Sequence, residues 1–313
     1  MVLKKVNRRK LIISDGQILC SPSLDEISVI KRKLTFDNPA YRNAVRFSRY
    51  NRIAIPPSLM YYEQGRYDDE PCIKVPIGFD VSSVVSDKLE VIDNRVYSKV
   101  DHAPFVLTLR EDHLSFKDSL PPRNIIQLPT GKGKSILGLY IASQLSCKTL
   151  IVVHKDDLVE GWKKDIVLAF DNKVHAGLIK AKSREVGHFI TIATVQTLNR
   201  LSAEELSKLY DNFGLVIQDE MHHCPASSYS VVSNFRPRYR LGLTATPERS
   251  DGLDHIMNLY YGSIVFKYED DKETDEENDI LPVKVIKRKS VVYFDPLFQN
   301  VGTDKHPVYK LID

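Results

Sequence analysis

The sequence predicts an α/β chain: a parallel sheet covered by helices from about residue 122, preceded by a small α+β region. Three observations carry this. Short apolar runs alternate with amphipathic stretches through the second half, the first hundred residues hold smaller elements with more turn chemistry, and a basic excess is confined to the N-terminus. A length of 313 residues allows about two domains. The expected division is 1–103 as a basic N-terminal domain, 104–268 as the α/β domain, and 269–313 as an acidic loop with the start of a connection.

In chain order, Ser23 and Glu26 have the spacing of a capping box before a helix that runs to about Leu34. A second helix begins at Asn38 as N-cap with Pro39 in its first position. Arg42, Arg46 and Arg49 are spaced four and three apart and so share one face. KLEVI (88–92) and RVYSK (95–99) flank Asp93 and Asn94 and read as a hairpin. The α/β half offers strands at 124–128, 149–153, 189–193, 215–218 and 240–243, with helices at 135–145, 156–170 and 203–210. Residues 269–279 carry eight acids and one lysine, the composition of a solvated loop, and strand-like alternation returns at 280–294.

The net charge of +3 hides an asymmetry, because residues 1–52 hold 12 Lys+Arg against 4 Asp+Glu, a local +8 that leaves −5 for the rest. Lys31, Arg32, Lys33 and Arg52 join the three arginines in a surface suited to phosphate, although a solvated face has the same composition. No apolar run approaches the ~20 residues of a membrane span, and MVLKKVNRRK lacks the apolar core of a signal peptide. Cys20, Cys72, Cys147 and Cys224 are far apart, so no structural metal and no redox dithiol is expected, and a reducing cytoplasm fits best.

LPTGKGKS (128–135) lies between a predicted strand and a predicted helix, where backbone N–H groups and a helix N-terminus converge on an anion. Pro129, Thr130, Gly131, Lys132 and Gly133 form the loop, and the two glycines let backbone approach phosphates without a Cβ between. Lys134 would reach the β- and γ-phosphates of ATP, and the Ser135 hydroxyl would hold Mg2+. Leu128 stands where the strict phosphate-loop pattern has its first glycine. LVIQDEMHH (215–223) sets two acids at a strand end, Asp219 to orient Mg2+ and Glu220 to act as general base on water. His222, His223 and Cys224 are consecutive and cannot all face one ion. His222 is expected to link this site to GLTATPERSDG (242–252), whose Thr244 and Thr246 can bridge strand ends.

LPTGKGKS, DEMH and LTATP, in this order, resemble motifs I, II and III of superfamily 2 DExH helicases and translocases. IVVHKDDLVEGWKK resembles motif Ia, and ITIATVQTLNR the following DNA-contact turn. The upstream run NPAYRNAVRFSRYNRIAIPPSLMYY is similar to the leader of phage recombination helicases of the UvsW type. The resemblance implies a RecA-like P-loop NTPase domain and an ATP- and Mg2+-dependent enzyme. Its expected substrate is branched or forked DNA, bound without sequence preference in the cytoplasm, the host's cytoplasm if the protein is viral. It assigns phosphate and Mg2+ contacts to Lys134 and Ser135, the motif II acids to Asp219 and Glu220, and coupling to Thr244 and Thr246. His154, Lys155, Thr194 and Gln196 map to DNA-backbone turns.

Two departures stand out. In LREDH, where Arg110 and His113 precede the phosphate loop, the family places a glutamine at His113, so looser base selectivity is expected. No Q-x-x-G-R-x-x-R segment is present and the sequence stops at Asp313, where the family begins a second RecA-like domain. That domain is expected in cis or in trans, and the 313 residues alone should be a weak ATPase, because the missing arginine finger contributes about a thousandfold or more. Three alternatives remain open: a restriction-type translocase motor, an RNA helicase, and a nucleotide-dependent DNA clamp. EPCIK (70–74) argues against restriction cleavage, since Cys72 stands where a nuclease needs an acid.

Overall fold

The computed structural model describes residues 9–47, 55–110, 113, 122–223, 231–245, 253–267, 298–300 and 309–311. Residues 1–268 form one compact unit and 269–313 a second.

The first unit opens on a five-stranded sheet. Strands β1 (Lys10–Ile13) and β2 (Gly16–Cys20) form a hairpin, and β3 (Thr35–Asp37) and β4 (Ser58–Met60) make a separate small pair. With β5 (Glu63–Tyr67), β6 (Glu70–Pro76) and β7 (Glu90–Asp93), the large sheet has the order β5-β6-β2-β1-β7. Asp68 and Asp69, both at positive φ (47° and 63°), make the two-residue turn between β5 and β6 that strand twist favours. Leu19, Ile30, Ile73 and Val75 fill the core between this sheet and the helix Leu24–Lys33. That helix carries the full capping box: the Glu26 N–H donates to Ser23 Oγ at 3.2 Å, and the Ser23 N–H to Glu26 Oε2 at 2.7 Å. Asn38 caps the helix Pro39–Phe47 by accepting from the Ala40 N–H at 3.0 Å.

The hairpin expected about Asp93 and Asn94 does not form. Neither residue takes the positive φ that such a turn requires, and Asp93 is committed to Arg95, whose Nε donates to its Oδ1 at 2.8 Å. Strand β7 instead pairs parallel with β1. Residues 95–110 leave the sheet and run along the second half: the Val100 N–H donates to Ser146, the Val106 N–H donates to Ala169, and His102 stacks on Phe189 at 4.0 Å. The expected division at 103/104 falls inside this segment.

The larger sheet holds β8 (Arg123–Gln127), β9 (Thr149–Val153), β10 (Gly177–Lys180), β11 (Ser183–Arg184), β12 (Ile190–Thr194), β13 (Leu215–Gln218), β14 (Tyr239–Thr244) and β15 (Ile264–Lys267). Their order is β11-β10-β12-β9-β13-β14-β8-β15, parallel throughout except at β10-β11. Every residue of β9, β12 and β13 is buried, as a sheet covered on both faces demands. Helices Lys134–Leu145, Asp156–Ala169 and Ala203–Tyr210 connect these strands, and His255–Tyr261 follows β14. Because β8, β14 and β13 are neighbours, the loops after them open side by side at one end of the sheet.

Among the described residues no helix is long and apolar enough to cross a membrane. In the second unit the described part is an antiparallel pair, Phe298–Asn300 with Tyr309–Leu311. The segments 269–279 and 280–294 lie outside the described residues.

Candidate nucleotide site and nucleic-acid face

The loop after β8 has the backbone of an anion cradle. Gly131 and Gly133 take φ of 83° and 80°, and a Cβ on Gly131 would meet nothing within 4 Å, so the space above the loop is open. Leu128, in place of the usual first glycine, is fully buried in the sheet core, and its N–H donates to the Thr244 carbonyl at 3.0 Å. Lys134 starts the following helix and is buried. Burial pushes the Asp165 carboxyl up, and the neighbouring Ser135 hydroxyl opposes that shift.

The acids after β13 meet the loop. Lys134 Nζ lies 2.9 Å from Glu220 Oε1, a charge contact whose angles do not make a hydrogen bond. Asp219 is nearly enclosed: its Oδ2 accepts from Trp162 Nε1 at 2.8 Å and its Oδ1 from the Glu220 N–H at 2.9 Å. Burial pushes the Asp219 carboxyl up, opposed first by the Trp162 hydrogen bond. Trp162 reaches this position past Gly138 of the phosphate-loop helix, where a Cβ would stand 3.3 Å from the indole.

His222 carries the contact onward. Its Nδ1 lies 3.5 Å from Glu220 Oε2 and shares a 2.7 Å hydrogen bond with Thr244 Oγ1. Lys134, Glu220, His222 and Thr244 thus form a continuous chain from β8 through β13 to β14. Gly242 admits the turn that holds it, since a Cβ there would stand 2.3 Å from Met221 Sδ. Thr246 and Cys224 lie outside the described residues, as do any side-chain details of His223.

The residues present fit a magnesium nucleotide. An open glycine cradle, a buried lysine and an enclosed carboxylate beside a hydroxyl-bearing helix start are the donor set that Mg2+ with phosphates takes. His113 sits against this loop, where its Nε2 donates to the Lys132 carbonyl at 3.0 Å, and its N–H donates to the Arg110 carbonyl. The ring braces the loop backbone.

Of the residues assigned to nucleic acid, His154, Lys155, Thr194 and Gln196 line one cleft beyond the ends of β9 and β12. Gln196 Nε2 donates to the His154 carbonyl at 2.6 Å, joining the two turns. Lys180 and Arg200 line the same cleft. They escaped the sequence reading because β10 was not recognised and Arg200 follows a helix of four residues. Arg42 is exposed and paired with Asp37, Arg46 is one turn along the same helix, and Arg49 lies outside the described residues. Trp162 and Asp165 were also missed, because only the fold brings them to the acids and the loop.

Known proteins bear on this arrangement. Residues 102–249 match the family model described as type III restriction enzyme, res subunit. The DNA 3'-5' translocase XPB2 of Sulfurisphaera tokodaii is 40% identical over 148 residues, 46% of this chain and 32% of that protein. "Probable helicase D10" of Escherichia phage T5 is 32% identical over 181 residues, 57% of this chain and 39% of that protein. The chain therefore spans well under half the length of these relatives. The fold is a RecA-like α/β core, and over this part the chain is similar to superfamily 2 helicases and translocases. Among these the chain resembles the UvsW helicase of bacteriophage T4: two crystal structures align with TM-scores of 0.58 and 0.57 over 82% of this chain, at 14% and 16% identity, a likeness of fold.

Proposed function

We propose that this chain is the nucleotide-binding part of an ATP- and Mg2+-dependent DNA helicase or translocase that remodels branched or forked DNA. The observation that carries the reading is the continuous chain Lys134, Glu220, His222, Thr244. Without nucleotide, Lys134 and Glu220 neutralise each other. Phosphate entering the cradle gives Lys134 a stronger partner and releases Glu220 to take a proton from water. Loss of that contact frees His222 and Thr244 to shift, which carries the nucleotide state to the strand beside the phosphate loop. Bound Mg2+ would be held by Ser135 and Asp219 and would neutralise developing phosphate charge.

On the DNA side, Lys155, Lys180 and Arg200 in the cleft, with Arg42, Arg46 and Arg49 on the N-terminal domain, would contact backbone phosphate without reading bases. On this reading a second RecA-like domain supplies the arginine finger, and its presence should raise ATP turnover. The family-model match supports a second reading, the motor of a restriction-type translocase. The deciding experiment measures ATPase stimulation by single strands, duplex, forks, four-way junctions and RNA in a chain that includes a second RecA-like domain. Forks and junctions should stimulate most; equal stimulation by unbranched duplex would favour the restriction-type motor, and preference for RNA would overturn the DNA assignment.

A further inference from the structure

We propose that the helix His255–Tyr261 mechanically links the N-terminal domain to the magnesium carboxylate, with Tyr261 as the positioning residue. This rests on the nucleotide and DNA readings above and names how the two would be coupled.

The N-terminal domain grips this helix along its length. The His255 ring stacks on Phe36 with centroids 3.7 Å apart and planes at 13°, and Tyr61 meets it edge-on at 5.5 Å. Further along, the Gly78 N–H donates to the Leu259 carbonyl at 2.7 Å. A Cβ on Gly78 would stand 2.3 Å from the Asn258 carbonyl oxygen and 2.6 Å from that of Leu259, so only glycine permits this approach.

The far end of the helix reaches the acids. Tyr261 is fully buried beside the guanidinium of Arg240, and its hydroxyl donates to Gln218 Oε1 at 2.5 Å. Arg240 is itself enclosed and donates to the carbonyls of Val232, Ser233 and Phe235. Gln218 immediately precedes Asp219 and ends a strand whose other residues, Leu215, Val216 and Ile217, are apolar and buried. A buried amide in such a strand is costly unless it is bonded, and among the described residues its Nε2 has no hydrogen-bond partner. Packing alone would favour an aliphatic residue there. The Tyr261 contact gives the amide a purpose: it ties the strand end that bears Asp219 to the helix gripped by the N-terminal domain. Close-packed elements pass a displacement on rather than absorb it.

The test measures binding of a fluorescent ATP analogue, with Mg2+ or with chelator, each with and without saturating forked DNA. In the unaltered chain Mg2+ tightens binding and DNA alters it by about fivefold or more. Tyr261→Phe keeps the ring. It should leave DNA affinity and chelator-state nucleotide affinity within about twofold, while most of the Mg2+ gain and of the DNA effect are lost. Gln218→Leu should give the same losses in a chain at least as heat-stable, an outcome that a purely structural role would not produce. Gly78→Ala should keep the Mg2+ gain and lose the DNA effect. If both site variants retain the Mg2+ gain and the DNA effect, or if the unaltered chain shows no DNA effect, the link is overturned. If the unaltered chain shows no Mg2+-dependent binding, the nucleotide-site reading itself fails.

Discussion

The two sheets of the first unit place charge differently. Around the N-terminal sheet the ionic contacts range from open to partly enclosed: Arg42 pairs with Asp37 of the small β3-β4 pair at side-chain exposures of 68% and 73%, Lys74 lies beside Asp15 at 36% and 20%, and Arg95 beside Asp93, which ends β7, at 9% and 28%. Around the larger sheet the charges drawn inward are Lys134 and Glu220, at 9% and 18%, with Asp219 beside them. Surface pairs of the first kind contribute little, whereas an enclosed pair carries a desolvation cost that stability alone does not justify. The comparison sets ionic contacts that tie neighbouring segments together against a buried cluster of unlike charges at the strand ends, which the proposed function uses for chemistry.

The sharpest way to break that comparison is Lys134→Ala. Removing the cation should weaken Mg2+-dependent nucleotide binding about a hundredfold or more, while DNA binding by the N-terminal face stays as it was. Calorimetry with nucleotide and gel shifts with forked DNA check the two halves. Packing tightness should differ in the same sense. Gly242→Ala drives a methyl toward buried Met221 and should destabilise the chain by about 1 to 3 kcal/mol, whereas Gly65→Ala in β5 meets nothing within 4 Å and should change little. Urea midpoints of the two variants give the contrast.

The smallest effect concerns Glu26. The Arg9 hydrogen bond holds its carboxyl below the usual carboxylate range, with bidentate contacts of 2.7 and 2.9 Å. A lowered folded-state value means that the stabilisation is present above the ordinary glutamate pKa of ~4.3 and is lost as pH falls through the lowered one. Glu26→Gln should cost about 1 kcal/mol or less near neutrality, and the difference from the unaltered chain should vanish in strong acid. Thermal melts across pH decide it.

What could be read in the sequence follows the same division. Strands β9, β12 and β13 are buried on both faces, so their apolar runs were visible without any partner. β5, with the sequence EQGRY and mostly exposed, carries no such signal, and β10, only alternately buried and ending in Lys180, lacks the continuous apolar run of β13. Asp93 and Asn94 had turn chemistry, but β7 pairs with β1 across about eighty residues of sequence, a long-range partner that no local pattern shows. The phosphate loop, the paired acids and the Thr244 turn were legible because each is local. Trp162 against Asp219 and Tyr261 against Gln218 are 57 and 43 residues apart, and no spacing rule connects them.

Trp162 is the only tryptophan in the chain, and its indole N–H is bonded to the carboxylate assigned to Mg2+. The protein therefore carries its own optical reporter. Whatever occupies the carboxylate alters the field on one indole, with no second indole to obscure it, so titrating magnesium nucleotide into the unlabelled protein, excited on the red side of tyrosine absorption, should shift a single emission band.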